Sequence, residues 1–234
     1  DVNIGVLYLL ALASLGVYGI VLGGWASNNK YALLGAIRAS AQMISYELSL
    51  GLSLVGVLMV AGSLRLGEIV EQQANTTLLG FLPDWNVFSQ PLAFLLFTVA
   101  AFAEANRLPF DLPESEQELV AGYHAEYSSM KFAMFFMAEY ASMITASAVI
   151  ASLFFGGWHV PWLIQAGDQS LFASLLKILA FSLKTGFFMF LFLWVRWTLP
   201  RFRYDQVMWL GWKVMLPLAI MNVFLTGLVL TLAR

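Results

Sequence analysis

Six long apolar runs constrain the fold of this chain more than any other feature of its sequence. They cover approximately residues 3–24, 40–62, 87–104, 130–155, 171–195 and 211–232. A helix needs roughly 20 apolar residues to cross a hydrocarbon core of about 30 Å. Helices are expected because a bilayer offers no water to the backbone, and the runs alternate too weakly for barrel strands. With a mean hydropathy of +0.78, the sequence predicts an all-α polytopic membrane protein with six transmembrane helices.

The basic residues predict how these helices are oriented in the membrane. Eight of the twelve Lys and Arg residues fall in or beside the connections 25–39, 105–130 and 196–213, which share one side in this topology. These eight are Lys30, Arg38, Arg107, Lys131, Arg196, Arg201, Arg203 and Lys213. The opposite side carries only Arg65 and Arg234. Because cytoplasmic loops are rich in Lys and Arg, the three connections are predicted to face the cytoplasm or matrix, in a bacterial plasma membrane or a mitochondrial inner membrane.

Composition also excludes several kinds of chemistry. The chain has no cysteine, which excludes disulfides and cysteine-ligated iron–sulfur clusters within it. Its two histidines, His124 and His159, lie far apart in sequence, so no metal or haem site is predicted. No basic stripe indicates nucleic-acid binding. Any redox role would therefore depend on a partner subunit or a diffusible substrate.

No internal repeat or flexible linker divides the sequence, so a single transmembrane domain is predicted over residues 1–234. The chain begins with Asp1 rather than methionine, and we expect a further N-terminal portion to precede it. The lipid bilayer is an expected partner of these helices.

Two glutamates, Glu47 and Glu139, lie deep within the apolar runs. Glu47 lies nine residues beyond Arg38 and Glu139 nine beyond Met130, which corresponds to about 13 Å along a helix. A charged side chain at such a depth costs roughly 2.5–3.5 kcal/mol on insertion scales, and ionisable residues there are usually functional. Each also adjoins a tyrosine, Tyr46 or Tyr140. The pattern favours proton exchange; the alternative is two neutral glutamic acids that hydrogen-bond between helices.

Lys184 is the deepest cation in the sequence, some thirteen residues into its run. It lies too far from either membrane surface to extend easily into the headgroups, as Lys177 can. We therefore hypothesise that Lys184 pairs with Glu47 or Glu139. On this hypothesis, Lys184→Met should harm proton coupling more than assembly.

A polar, acidic segment interrupts the apolar sequence at residues 104–118 and carries five of the fourteen carboxylates. Glu104 and Arg107 stand at i and i+3, so they can pair or share one face of a helix end. On a second short helix, Glu114 and Glu118 would fall on one face, where mutual repulsion favours a shared proton. The alternative interpretation is a solvated acidic loop.

Five segments, in order along nearly the whole chain, resemble one known family. They are GWASNNKY (24–31), RASAQMISYE (38–47), EANRLPFDLPE (104–114), FFMAEY (135–140) and PRFRYDQ (200–206). Together they resemble the H subunit of the proton-pumping NADH:quinone oxidoreductase, respiratory complex I. That family has eight membrane helices, and this chain resembles the last six.

The resemblance implies a function as well as a fold. A protein of this kind forms part of the quinone chamber and links quinone reduction to proton movement through buried carboxylates. Quinone is then the substrate, while iron–sulfur clusters, FMN and NADH belong to partner subunits of the membrane and peripheral arms. The proton path would include Glu47 and Glu139, with Arg38 as a charge partner and Lys184 added from its depth. The loop at the quinone chamber would comprise Glu104, Arg107, Asp111, Glu114, Glu116, Glu118 and Glu126.

Two alternatives remain open at the level of sequence. An ion antiporter could use the same carboxylates without quinone, although such transporters often show internal repeats and broken helices. The membrane anchor of an energy-converting hydrogenase complex is the other alternative, and it need not bind quinone. For the quinone-linked function, the two prolines of the acidic segment favour loop motion over helix motion as the switching step.

Overall fold

The computed structural model of the chain describes residues 2–75, 77–78, 82–111, 122–161 and 170–232. Helices dominate these residues. In chain order they are α1 (Gly5–Ala26), α2 (Lys30–Ala61), α3 (Leu66–Asn75), α4 (Asn86–Ser89), α5 (Pro91–Glu104), α6 (Ser129–Phe154), α7 (Leu171–Thr198) and α8 (Tyr204–Leu232). Five of them, α1, α2, α6, α7 and α8, are long and apolar enough to cross a membrane. The prediction of an all-α polytopic membrane protein is confirmed.

The remaining predicted span, 87–104, is divided into two helices. It consists of the four-residue α4 and the 14-residue α5, which meet at Gln90. Pro91 opens α5 at a position where its missing N–H costs nothing, and the residue before a proline is disfavoured in the helical region. At 1.5 Å per residue, α5 is about 21 Å long. It is therefore shorter than the other spans.

Two predicted loops are much shorter than expected. Helix α2 begins at Lys30 because Asn29 accepts a hydrogen bond from the backbone of Tyr31 at 3.0 Å, so most of the predicted loop 25–39 is helical. Helix α2 has 32 residues, or about 48 Å, and extends beyond a 30 Å core. The connection predicted over 196–213 is likewise shorter, since α7 ends at Thr198 and α8 begins at Tyr204.

One end of the bundle contains small elements that the apolar runs did not predict. After α2 the chain forms α3, whose buried positions Ile69, Val70 and Gln73 lie on one face. Strands β1 (Thr77–Leu78) and β2 (Leu82–Pro83) then pair antiparallel as a short hairpin. The 3-4 spacing of the buried positions of α3 is the sequence signal that would have indicated this amphipathic helix.

Helix α2 lies at the centre of the bundle, where it contacts α8 closely. Gly56 of α2 faces three polar side chains that hydrogen-bond to one another. Gln90 Nε2 donates to Thr226 Oγ1 at 2.9 Å, and Asn222 Nδ2 donates to Gln90 Oε1 at 3.1 Å. A Cβ on Gly56 would lie 2.8 Å from Asn222 Nδ2 and 3.2 Å from Gln90 Oε1. The missing side chain therefore makes room for this buried hydrogen-bond network.

We expect Gly56→Ala to destabilise the chain by about 1–3 kcal/mol, because the added methyl group overpacks the contact between α2 and α8. Gly51→Ala on the same helix is the matched control, since no atom lies within 4 Å of its Cβ position. Thermal unfolding in detergent, followed by tryptophan fluorescence, measures the effect. The midpoint should be lower for Gly56→Ala and unchanged or higher for Gly51→Ala. Equal midpoints for the two variants would contradict the packing argument.

Candidate functional site

The described part of the acidic segment, residues 104–111, follows α5 and lies against α2. Gln42 of α2 donates one amide hydrogen to the carbonyl of Ala103 at 2.8 Å and the other to the carbonyl of Phe110 at 2.9 Å. The Gln42 side chain is fully buried. Between these two carbonyls, Asn106 adopts a positive φ of 50°, and its Nδ2 lies 3.5 Å from Met43 Sδ.

The far end of residues 104–111 contacts both α2 and the connection between α7 and α8. The ring of Phe110 packs edge-on against Tyr46 at 5.4 Å and against Phe202 at 5.5 Å. The backbone N–H of Phe202 donates to the carbonyl of Pro109 at 3.1 Å. Tyr46 in turn donates to the carbonyl of Val207 at 2.9 Å, beside the π-helical turn Leu210–Met215 of α8. Residues 104–111 are thus fixed by side-chain contacts from α2 and by ring and backbone contacts from Phe202 in the connection between α7 and α8.

Arg107 forms an ion pair with Glu139 of α6. The Nη2 and Oε2 atoms lie 3.2 Å apart, and the side chains are 6% and 8% exposed. The guanidinium carbon of Arg107 also lies 4.5 Å from the ring centroid of Tyr140, a distance suited to a cation–π contact. The sequence predicted that Arg107 would pair with Glu104 or share its face. The structure instead shows Arg107 paired with a carboxylate 32 residues away.

A cavity of about 480 Å³ opens beside Glu104, between α1, α2, α5 and α6. Its walls are mostly apolar, and among the described residues the lining carboxylate is Glu104. Ala138, the neighbour of Glu139, belongs to the same wall. The half-buried Glu47 is close enough to Glu104 for their charges to interact. Glu104 thus lines the cavity with Glu47 nearby, and Glu139 adjoins a residue of the cavity wall.

Lys184 lies outside this region. Its ammonium donates to the carbonyls of Phe155, Gly157 and His159 at 2.8–2.9 Å and lies 5.1 Å from the ring of Trp85. These carbonyls follow the end of α6, where a helix leaves acceptors unsatisfied and carries a partial negative charge. The predicted pairing of Lys184 with Glu47 or Glu139 is wrong, because the end of α6 already supplies three acceptors to the ammonium.

Arg38 lies on the face of α2 that meets α8. Its guanidinium carbon is 5.0 Å from the ring centroid of Tyr204. Nine residues, or about 13 Å of helix, separate it from Glu47. Within the part of the chain that the structure describes, Arg38 and Glu47 do not form an ion pair.

The remaining predicted loop residues are distributed differently. Asp111 is half-buried at the end of the described part of the segment. Glu126 is exposed, and its Oε1 accepts from Asn29 Nδ2 at 2.8 Å across to the α1–α2 connection. Tyr127 donates to the carbonyl of Gly23 at 2.8 Å, which fixes the same contact. The other three predicted residues lie outside the described residues: Glu114, Glu116 and Glu118.

His124 is a buried residue near this region that sequence reasoning did not select. It ends the short turn Gly122–His124, which approaches α2 so closely that a Cβ on Gly35 would lie 3.0 Å from Gly122 Cα. Its ring packs against Phe135 and Phe136 with centroids 5.3 and 5.9 Å away. Burial lowers the pKa of His124 to about 4, so the imidazole is neutral at pH 7.

The long apolar helices and the acidic residues enclosed between them define a multi-pass helical membrane protein with ionisable groups inside the bundle. The chain belongs to the NADH dehydrogenase family, whose model matches residues 1–227. This finding confirms the resemblance drawn from the five sequence segments.

Named relatives agree with the family match. The chain is 54% identical to the NADH-quinone oxidoreductase H subunit 1 of Cytophaga hutchinsonii over 227 residues, covering 97% of this chain and 64% of that protein. It is 54% identical to NADH-quinone oxidoreductase subunit 8 of Rhodothermus marinus, covering 97% of this chain and 68% of that protein. It is 55% identical to the H subunit 1 of Geobacter sulfurreducens, covering 99% and 62%. The chain thus spans about two thirds of the length of these relatives.

Proposed function

We propose that this chain is a membrane subunit of a proton-translocating NADH:quinone oxidoreductase and links quinone reduction to proton movement through buried carboxylates. The observation that carries this proposal is the buried ion pair between Glu139 of α6 and Arg107, which lies on the same segment as Glu104. Ionisable groups enclosed in this way influence one another strongly, because little water is present to screen them. The names of the relatives support the choice of reaction.

The coupling step follows from the negative charge that develops on the quinone during its reduction. Reduction to quinol takes two electrons and two protons, and the electrons arrive from an iron–sulfur centre of a partner subunit. A negative charge that develops beside residues 104–111 competes with Glu139 for Arg107. Two unit charges about 8 Å apart interact by about 2 kcal/mol at an effective dielectric constant of ~20. That exceeds the ~1.4 kcal/mol of a tenfold change in proton affinity, so protons redistribute among Glu139, Glu104 and Glu47.

The same proposal assigns the partners and the membrane side. Quinone is the substrate, and FMN, NADH and the iron–sulfur clusters are bound by other subunits of the membrane and peripheral arms. The connections 27–29, 105–128 and 199–203 face the cytoplasm or matrix. Two contacts support a common side for them: Asn29 with Glu126 and Phe202 with Pro109. The side is rich in basic residues, as expected for an inner surface.

Neutralising the carboxylates one at a time tests the proposal. In the assembled complex, we expect Glu47→Gln and Glu104→Gln each to lower the ratio of protons moved to electrons transferred, because an amide cannot release a proton. NADH oxidation by an acceptor that bypasses quinone should persist. Glu71→Gln, an exposed carboxylate on α3, is the matched control and should leave the ratio unchanged. Full pumping by both buried-site variants would overturn the proposal.

The two alternative functions have less support. The relatives described above are named as NADH-quinone oxidoreductase subunits, not as antiporters or hydrogenase anchors. Copurification with iron–sulfur proteins would exclude a stand-alone antiporter. Photolabelling of the chain by a quinone analogue would exclude a hydrogenase anchor that lacks quinone.

A further inference from the structure

We infer that Gln42 is a positioning residue. It keeps Arg107 in contact with Glu139, and it keeps Glu104 beside the cavity. The inference rests on the proposed function and extends it to a neutral side chain. Gln42 touches neither the ion pair nor the cavity in the contacts described above. It acts through the backbone that carries Glu104 and Arg107.

The geometry of the amide is what makes this role possible. Both hydrogens of Nε2 are used, one on the carbonyl of Ala103 and one on the carbonyl of Phe110. Ala103 immediately precedes Glu104, and Phe110 follows Arg107 by three residues. One side chain therefore holds both ends of the stretch that bears the two charged groups. Because Gln42 is completely buried, water cannot readily replace these bonds when they are lost.

The neighbouring contacts cannot hold both ends of this stretch in the same way. Met43 meets Asn106 through a thioether sulfur, which is only a weak acceptor. The ring contact between Tyr46 and Phe110 tolerates sliding, because aromatic packing lacks the directionality of an N–H···O bond. The bond from Phe202 to Pro109 fixes one end of the segment only. Gln42 is thus the side chain of α2 whose hydrogen bonds span the stretch.

A displacement of this stretch would act directly on the ion pair. Arg107 lies between the two tethered carbonyls, and its Nη2 is 3.2 Å from Glu139 Oε2. Each amide–carbonyl bond contributes roughly fivefold to an equilibrium, so the loss of both should strongly populate displaced conformations. Glu104 and Arg107 would then lie at altered distances from the charge that develops on the quinone. The subunits that deliver electrons to the quinone would be unaffected.

The test replaces Gln42 by methionine, an unbranched side chain of similar length that donates no hydrogen bond. The matched control is Gln73→Met at the other end of the bundle, because Gln73 is also buried and donates to the carbonyls of Ser152 and Leu153. Both variants should reduce thermal stability. We expect only Gln42→Met to lower the proton-to-electron ratio of the reconstituted complex, by about twofold or more given the two lost bonds.

A second variant keeps the test decisive if Gln42→Met assembles poorly. The carboxyl of Gln42→Glu, when protonated, can donate one of the two bonds, so its proton-to-electron ratio should lie between those of the wild type and Gln42→Met. Ratios for both Gln42 variants equal to that of Gln73→Met would overturn the inference. If Glu47→Gln and Glu104→Gln reduce pumping in that case, the inference fails alone; if they also pump fully, the proposed function fails with it.

Discussion

Replacing Arg107 by methionine is expected to destabilise the chain by about 3–5 kcal/mol, because it leaves the buried Glu139 carboxylate without its cation. The estimate applies here since both side chains are less than 10% exposed, so solvent cannot compensate the charge. The loss should appear as a lower thermal unfolding midpoint in detergent and as less assembled chain in the membrane. The contact with the Tyr140 ring would be lost as well.

An exposed pair of the same length provides the control. Arg203 and Asp205 are also 3.2 Å apart, but their side chains are 76% and 66% exposed. Arg203→Met should cost no more than about 1 kcal/mol, as is typical of surface pairs. A double variant, Arg107→Met with Glu139→Gln, should recover much of the stability, because replacing both partners removes both buried charges. If Arg107→Met is as mild as Arg203→Met, the buried pair does not stabilise the chain.

The sequence was sufficient to predict the spans whose whole length lies in lipid. The run 130–155 corresponds to α6 and the run 171–195 to α7, each within three residues at either end. The reason is physical: a continuous apolar run has no stable alternative to a helix in hydrocarbon. Family membership was predictable too, because it depended on short ordered segments rather than on three-dimensional contacts.

Helix ends with charged residues were not predictable from apolar runs. Lys30 and Arg38 were assigned to a loop because charge ended the run, yet α2 is longer than the membrane is thick and carries polar residues beyond it. Tyr204–Gln206, at the start of α8, was misassigned for the same reason. Hydropathy reports the position of lipid, whereas hydrogen bonds and caps decide where a helix begins.

At the candidate site, residue types were predictable and pairings were not. Glu139 was selected for its depth, and the structure indeed buries it. That its cation is Arg107 follows from how α5 and α6 pack, which no spacing in the sequence reveals. Gln42 carries no charge, so the depth of ionisable groups in the apolar runs does not indicate it. Its signal was nevertheless present, as a large amide inside a helix and five residues before Glu47.

Lys184→Met should now impair stability and assembly rather than proton coupling, which reverses the expectation from sequence. Three carbonyl oxygens at the end of α6 would lose one charged donor. Since a hydrogen bond to a charged group contributes about 1.5–3 kcal/mol, we expect a loss of about 3 kcal/mol or more. Thermal unfolding in detergent, together with the amount of assembled complex, measures that loss.

Lys131→Met, an exposed position on α6, is the control and should change neither the unfolding midpoint nor the yield. Complexes that still assemble with Lys184→Met should keep a normal proton-to-electron ratio, because Glu47, Glu104 and Glu139 are left in place. Stable, abundant complexes with a reduced ratio would contradict this account. They would mean that the Lys184 ammonium exchanges protons during turnover, and that its three carbonyl bonds are broken and remade rather than permanent.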